Sequence, residues 1–138
     1  MQTIIVKAML VVRNGNKLLF SRGFDTGKKE AFLRPLGGHV EFGETGAETI
    51  RREMQEEVGC DALDVWFVSA VENLFTYNGK QQHEIILMYE GRLADESLYA
   101  KANFSFMEGE RKTEARWFSK EDVEKEGLAI YPPFKYFR

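Results

Sequence analysis

With Cys60 as its single cysteine, the chain cannot close a disulfide on itself, which fits a reducing compartment such as the cytoplasm. Positive charge is not in excess either: 19 Lys and Arg face 22 Asp and Glu, a formal net charge of −3. Nothing in that balance attracts nucleic acid or an anionic membrane surface, and neither is expected as a partner. A small anionic substrate is compatible, provided a local cation offsets the acidic background. No apolar run is long enough for a bilayer. The run over residues 4–12 is interrupted by Lys7, is followed by Arg13-Asn14-Gly15 and lacks a small-residue cleavage site, so it reads as a buried strand. Repeats, low-complexity segments and linkers are missing too, and 138 residues suit one domain over 1–138. At 43% hydrophobic and 30% charged residues, such a chain can bury a core without disulfides or a structural metal.

Two early runs rich in apolar residues, 3–12 and 17–22, flank Asn14-Gly15-Asn16 and predict a β-hairpin. The polar stretch 23–30 reads as a loop, and 32–38 as an extended piece entering a glycine pair. Residues 45–58 form the clearest helix: Thr45 and Glu48 have capping-box spacing, and Gly59 stands where a left-handed residue ends a helix. Ala47, Ile50, Met54 and Val58 fall on one face of it. A second hairpin turns at Asn78-Gly79, between strands over 65–77 and 83–93. Residues 94–113 show no clear periodicity and are expected to be a long loop. A short strand over 115–118 leads to a helix over 120–126 capped by Ser119 and Asp122, and the aromatic tail 131–137 is read as packed coil because Pro132-Pro133 forbids a helix. Hairpins alternating with helices imply an α/β architecture, a mixed sheet with helices packed on it.

Between Gly37 and Gly59 the sequence gathers its chemistry. Glu53, Glu56 and Glu57 stand at i, i+3 and i+4 and project from one side of the helix. At about 100° per residue that side lies roughly a third of a turn from the apolar stripe. The helix can bury one face and offer carboxylates on another. Like charges so spaced repel by roughly 0.2–0.5 kcal/mol per exposed pair, and a hard divalent cation such as Mg²⁺ or Mn²⁺ is the natural offset. Arg52, four residues before Glu56 and four after Glu48, can orient a carboxylate. An acidic face on a helix is ordinarily just solvated. Here the helix is entered from Gly37-Gly38-His39-Val40-Glu41-Phe42-Gly43-Glu44, where glycines let the backbone approach a ligand. A glycine-rich loop beside an acid-faced helix suits a metal–phosphate site.

Gly38, Glu44, Arg52, Glu53, Met54, Glu56, Glu57, Gly59 and Cys60 resemble the Nudix box, G-x5-E-x7-R-E-U-x-E-E-x-G-U, with U a bulky aliphatic residue. Cys60 departs at the final apolar position. The entrance order Pro35-Leu36-Gly37-Gly38 differs from the Leu-Pro-Gly-Gly of many relatives and bears on where Arg34 points. The early strands and the segment from Glu114 to Phe118 extend the resemblance over nearly the whole chain. It implies the Nudix fold, a mixed β-sheet sandwiched between α-helices, and a metal-dependent pyrophosphohydrolase acting on a small nucleoside diphosphate derivative.

By the same resemblance, Glu53, Glu56 and Glu57, with the Gly38 carbonyl, would hold Mg²⁺ or Mn²⁺, and Glu53 or Glu57 would serve as general base. Arg52 would hold a carboxylate in place, and Glu44 would support the loop or a metal-bound water. Glu110 and Glu114 are the candidates for a base outside the box. Arg34 and Tyr77 are candidate substrate contacts, while Phe24, Phe75, Phe104 and Phe106 are read first as packing residues that could stack on a base. His39, His83 and Cys60 are read as structural. Phe75 stands where relatives that cleave ADP-ribose often carry proline, and Tyr77 falls near the tyrosine of dinucleoside polyphosphate hydrolases. The resemblance therefore leans toward nucleotides with a polyphosphate chain, dinucleoside polyphosphates included. The alternative is a non-catalytic nucleotide-sensing module. Such modules usually lose box glutamates, and this chain keeps them. Isomerisation of an isoprenoid diphosphate lacks a cysteine-centred site to support it. Oligomeric state is left open, a homodimer included.

Overall fold

The structure is a computed structural model and describes residues 2–138. In chain order it runs β1 (Ile4–Asn14), β2 (Lys17–Asp25), β3 (Glu30–Arg34), β4 (Leu36–His39), α1 (Gly46–Glu57), β5 (Ala62–Tyr77) and β6 (Lys80–Leu93). A 3₁₀ turn (Glu96–Ala100), β7 (Asn103–Glu108), β8 (Arg111–Ser119), α2 (Lys120–Glu126) and β9 (Ala129–Ile130) complete it. The main strand order is β5-β6-β1-β2-β3-β9, with β4 on β1, and with β8 bridging β2 and β7. β1 runs parallel to β6 and β3 parallel to β9, while β1–β2, β1–β4, β2–β3, β2–β8, β5–β6 and β7–β8 are antiparallel. The sheet is mixed, as the α/β reading requires.

The apolar run of β1 is explained by burial on both faces. Ala8, Leu10 and Val12 enter one core cluster with Ile50 and Met54 of α1, whereas Met9 and Val11 enter a second with Phe20, Phe118 and Tyr136. α1 therefore lies on one side of the sheet and the C-terminal tail on the other. Thr45 accepts from the Glu48 N–H, and the Glu48 side chain accepts in return from the Thr45 N–H, completing the capping box. Gly59 takes the left-handed conformation (φ 82°) beyond the last turn, as its position implied.

Two expectations are corrected. β2 continues past Arg22 to Asp25, because Gly23, Phe24 and Asp25 pair with Phe32, Ala31 and Glu30. Only a short turn is left where a loop over 23–30 was expected. The supposed long loop 94–113 instead holds a 3₁₀ turn, all of β7 and the start of β8. Phe104 and Phe106 point into the core while Ser105 and Met107 face out, an alternation too short to stand out along the chain but fixed by pairing with β8. Tyr136, 4% exposed, anchors the tail in the second core, in line with the packed-coil reading.

Candidate functional site

Arg52 ties the box loop to α1. Its Nε and Nη2 donate to the two oxygens of Glu44 at 2.7 and 3.0 Å, Nη1 donates to Glu53 Oε1 at 3.0 Å and Glu56 Oε2 at 3.3 Å, and Nη2 also donates to the His39 carbonyl at 3.0 Å. Glu44 accepts in addition from the Glu41 N–H and the Thr49 hydroxyl. The Arg52 guanidinium, seconded by the Glu41 N–H, brings the Glu44 carboxyl down to about 2, so the loop is closed by a committed ion pair. A bidentate fork fixes direction as well as charge.

Below this clamp lies a crevice of about 320 Å³, whose lining includes Gly37, Gly38, Glu53, Glu57, Lys7, Arg34 and Glu108. β4 places Gly38 opposite Ala8 of β1, and a Cβ at Gly38 would collide with the Glu53 carboxylate. The missing side chain lets the acid fold back against the strand. Glu57 is only 9% exposed, and its Oε1 is buried with no hydrogen-bond partner among the described residues. Burial, then the adjoining Glu53 carboxylate, push the Glu57 carboxyl well above the usual carboxylate range.

A buried, unpartnered carboxylate oxygen beside a second carboxylate suits a hard divalent cation, which would offset both the lost solvation and the repulsion. No ready-made group of three or more His, Cys, Asp or Glu side chains able to hold a metal is found among the described residues. Glu53 is held by Arg52, and Glu56 sits at the rim with its side chain 60% exposed.

The crevice gathers Glu53, Glu57, Gly38 and Arg34, with Arg52 and Glu44 as the support behind them. Of the outside acids, Glu110 lies exposed between β7 and β8, and Glu114 is exposed on β8. Glu108 is the outside acid that lines the crevice. It receives Arg34 Nη2 at 2.7 Å and adds negative charge near Glu57. Only the pairing of β7 with β8 brings it there, so no spacing in the sequence pointed to it.

A second hollow of about 550 Å³ shares Lys7, Met9, Arg34 and His39 with the crevice. Tyr77 and Phe75 line it, as do Phe32 and Tyr131. Phe104 is core, Phe24 is 52% exposed, and Phe106 is a core residue that also lines the crevice. No helix among the described residues is long and apolar enough to cross a membrane.

The family model described as "NUDIX domain" matches residues 3–136. Among solved structures the chain is similar to a NUDIX hydrolase from Nitrosomonas europaea: TM-score 0.66, 19% identity, 94% of this chain and 82% of that one covered. It is similar also to a MutT NUDIX hydrolase from Burkholderia pseudomallei, with TM-score 0.62, 18% identity, and 88% and 87% of the two chains covered. An ADP compounds hydrolase aligns with TM-score 0.56 and 20% identity, over 91% of this chain and 62% of its own. At these identities the likeness is one of fold.

Proposed function

Because the chain belongs to the NUDIX family and is one of its hydrolases acting on pyrophosphate bonds, we propose that residues 1–138 form one domain that cleaves a nucleoside diphosphate linked to another moiety, with Mg²⁺ or Mn²⁺ as cofactor. The observation that carries this reading is the buried Glu57 carboxylate with its unpartnered Oε1, at the foot of a crevice that adjoins an aromatic-lined hollow.

Glu53 and Glu57 would hold the cation, joined by Glu56 and the Gly38 carbonyl. When bound, the cation supplies charge neutralisation of the diphosphate and a more acidic water. Arg52 engages Glu53 Oε1, which leaves Glu53 Oε2 for the cation, and Glu53 or Glu57 would serve as the general base toward an attacking water whose oxygen would bond to phosphorus as the bridging P–O bond breaks and the released phosphate keeps the electron pair. Glu44 keeps Arg52 in place. Lys7 and Arg34, on the wall between crevice and hollow, face the substrate's phosphate oxygens, and the aromatic side takes the base.

With Tyr77 lining the hollow, nucleotides carrying a polyphosphate chain, dinucleoside polyphosphates included, are the expected substrates ahead of ADP-ribose. One structural neighbour is an ADP compounds hydrolase, which makes ADP-linked compounds the natural comparison. A screen over nucleotides, nucleotide sugars, ADP-ribose and dinucleoside polyphosphates, with the products separated chromatographically, tests the reading. Turnover with Mg²⁺ or Mn²⁺ that vanishes in chelator and in Glu57→Gln is expected. Undiminished turnover in chelator overturns the metal reading, and faster cleavage of ADP-ribose overturns the substrate preference.

A further inference from the structure

Asn73 is polar, 6% exposed, and faces the second hollow from β5. Alternation along that strand turns Asn73, Phe75 and Tyr77 to one side, where all three line the cavity. Several polar groups of the same lining are already committed. Glu84, the cross-strand partner of Asn73, is 5% exposed and receives Lys7 Nζ on Oε2 at 2.8 Å. Asp25 Oδ1 accepts from the N–H groups of Gly27, Lys28 and Asn78 at 2.9, 3.2 and 3.0 Å. The Tyr77 hydroxyl donates to the Phe24 carbonyl at 3.4 Å. The Asn73 carboxamide has no hydrogen-bond partner among the described residues, and unlike Glu57 Oε1 it is not sealed off but opens onto the cavity. Its amide is therefore free to pair with whatever fills the hollow, and an occupant that displaced water there without offering a partner would be disfavoured.

The hollow restricts that occupant. Met9, Ile86, Phe75, Phe32 and Tyr131 give it apolar and aromatic walls. Tyr77 and Tyr131 pack edge-on against Phe32, at 5.9 and 5.6 Å between centroids. Such walls suit a flat ring better than a puckered sugar. Beside Asn73 the free acceptors are its own Oδ1 and Oε1 of its cross-strand partner Glu84, whose Oε2 takes Lys7. The nearby cations are held in ion pairs, Lys7 by Glu84 and Arg34 by Glu108. A ring edge carrying an amino group meets those acceptors, and the Asn73 Nδ2 supplies the complementary donor.

We propose that Asn73 reads the edge of an amino-bearing nucleobase and sets the base preference of this site. The inference rests on the nucleotide hydrolase reading above but is tested by binding, apart from turnover. Calorimetric titration of the protein with ADP, IDP, CDP and UDP in Mg²⁺ compares matched amino and oxo bases. The wild type is expected to favour ADP over IDP and CDP over UDP by about tenfold. Asn73→Leu keeps the bulk, removes both polar atoms and brings each ratio toward one. Asn73→Asp removes the donor, weakens the oxo bases further and widens the ratios. A purely structural role would weaken all four ligands alike and leave the ratios unmoved in both variants. That result, or a wild type indifferent to the amino group, overturns the proposal. Loss of the hydrolase reading would show instead as no turnover of any pyrophosphate compound by a protein that still discriminates the four ligands.

Discussion

The crevice and the hollow beside it share Lys7, Met9, Arg34 and His39 as a common wall, yet they are made in opposite ways. Of the crevice's acids, Glu53 and Glu57 come from one helix, and Arg52, which holds Glu53 and the loop's Glu44, sits on the same helix. The hollow takes its lining from β1, the β2–β3 region, β5, β6 and the segment after α2, so its walls are assembled from segments far apart in the chain. Groups that must be held to fractions of an ångström sit on one rigid element, while groups that select a ligand are collected by topology. Substitutions on the two sides should accordingly fail differently, the first in chemistry and the second in binding.

The largest effect is expected at Glu57. Glu57→Gln keeps the shape, removes the charge that would hold a cation, and should lower kcat/KM by about a thousandfold. Thermal melts should show an intact fold whose midpoint no longer rises with Mg²⁺, in contrast to the wild type. A melt in which the variant still gains stability from Mg²⁺ would move the cation elsewhere.

Next comes Arg52→Ala, which releases Glu44, Glu53 and the His39 carbonyl together. A loss of about 10–100-fold is expected, carried by kcat and by metal affinity. Lys cannot reproduce the fork to Glu44, so Arg52→Lys should recover little of it. Recovery to wild-type rates would mean that charge alone suffices there.

On the other side of the wall, Phe75→Ala should raise KM for a nucleotide by about tenfold while kcat changes little, because the residue lines the hollow and not the crevice. Equal falls in kcat on both sides would erase the division between chemistry and binding.

How far the sequence disclosed these features follows the same division. The capping box, the apolar face of α1, Arg52, Glu44 and the carboxylates were readable because helical spacing fixes them within residues 44–57. The hidden parts depended on pairing between distant strands. Glu108 reaches the crevice through the β7–β8 hairpin, within a stretch whose two buried phenylalanines gave too short an alternation to mark a strand. Asn73 faces the hollow through the register of β5 on β6, and an asparagine in a strand announces nothing by itself. Glu56, which helical spacing puts with Glu53 and Glu57, stands at the rim of the crevice, where Arg52 engages it.

The smallest effect concerns the clamp and pH. Glu44 titrates at about 2 instead of 4.5. A depressed acid contributes stability that is present above the unfolded value and is lost as pH falls from about 4.5 toward about 2. Melting curves across that range should therefore show a steeper acid-side loss for the wild type than for Glu44→Gln, with the two converging at the acid end. Parallel curves would separate the loop clamp from acid stability.

The account's central claim is that the buried Glu57 carboxylate, with Glu53, is the place of a divalent cation. Titration of the protein with Mn²⁺, followed by the electron paramagnetic signal of the free ion, measures that binding with no substrate present. The account predicts a site that is occupied in the wild type, retained in Phe75→Leu and Asn73→Leu on the far side of the wall, and abolished or greatly weakened in Glu57→Gln. Wild-type affinity for Mn²⁺ in Glu57→Gln would contradict it.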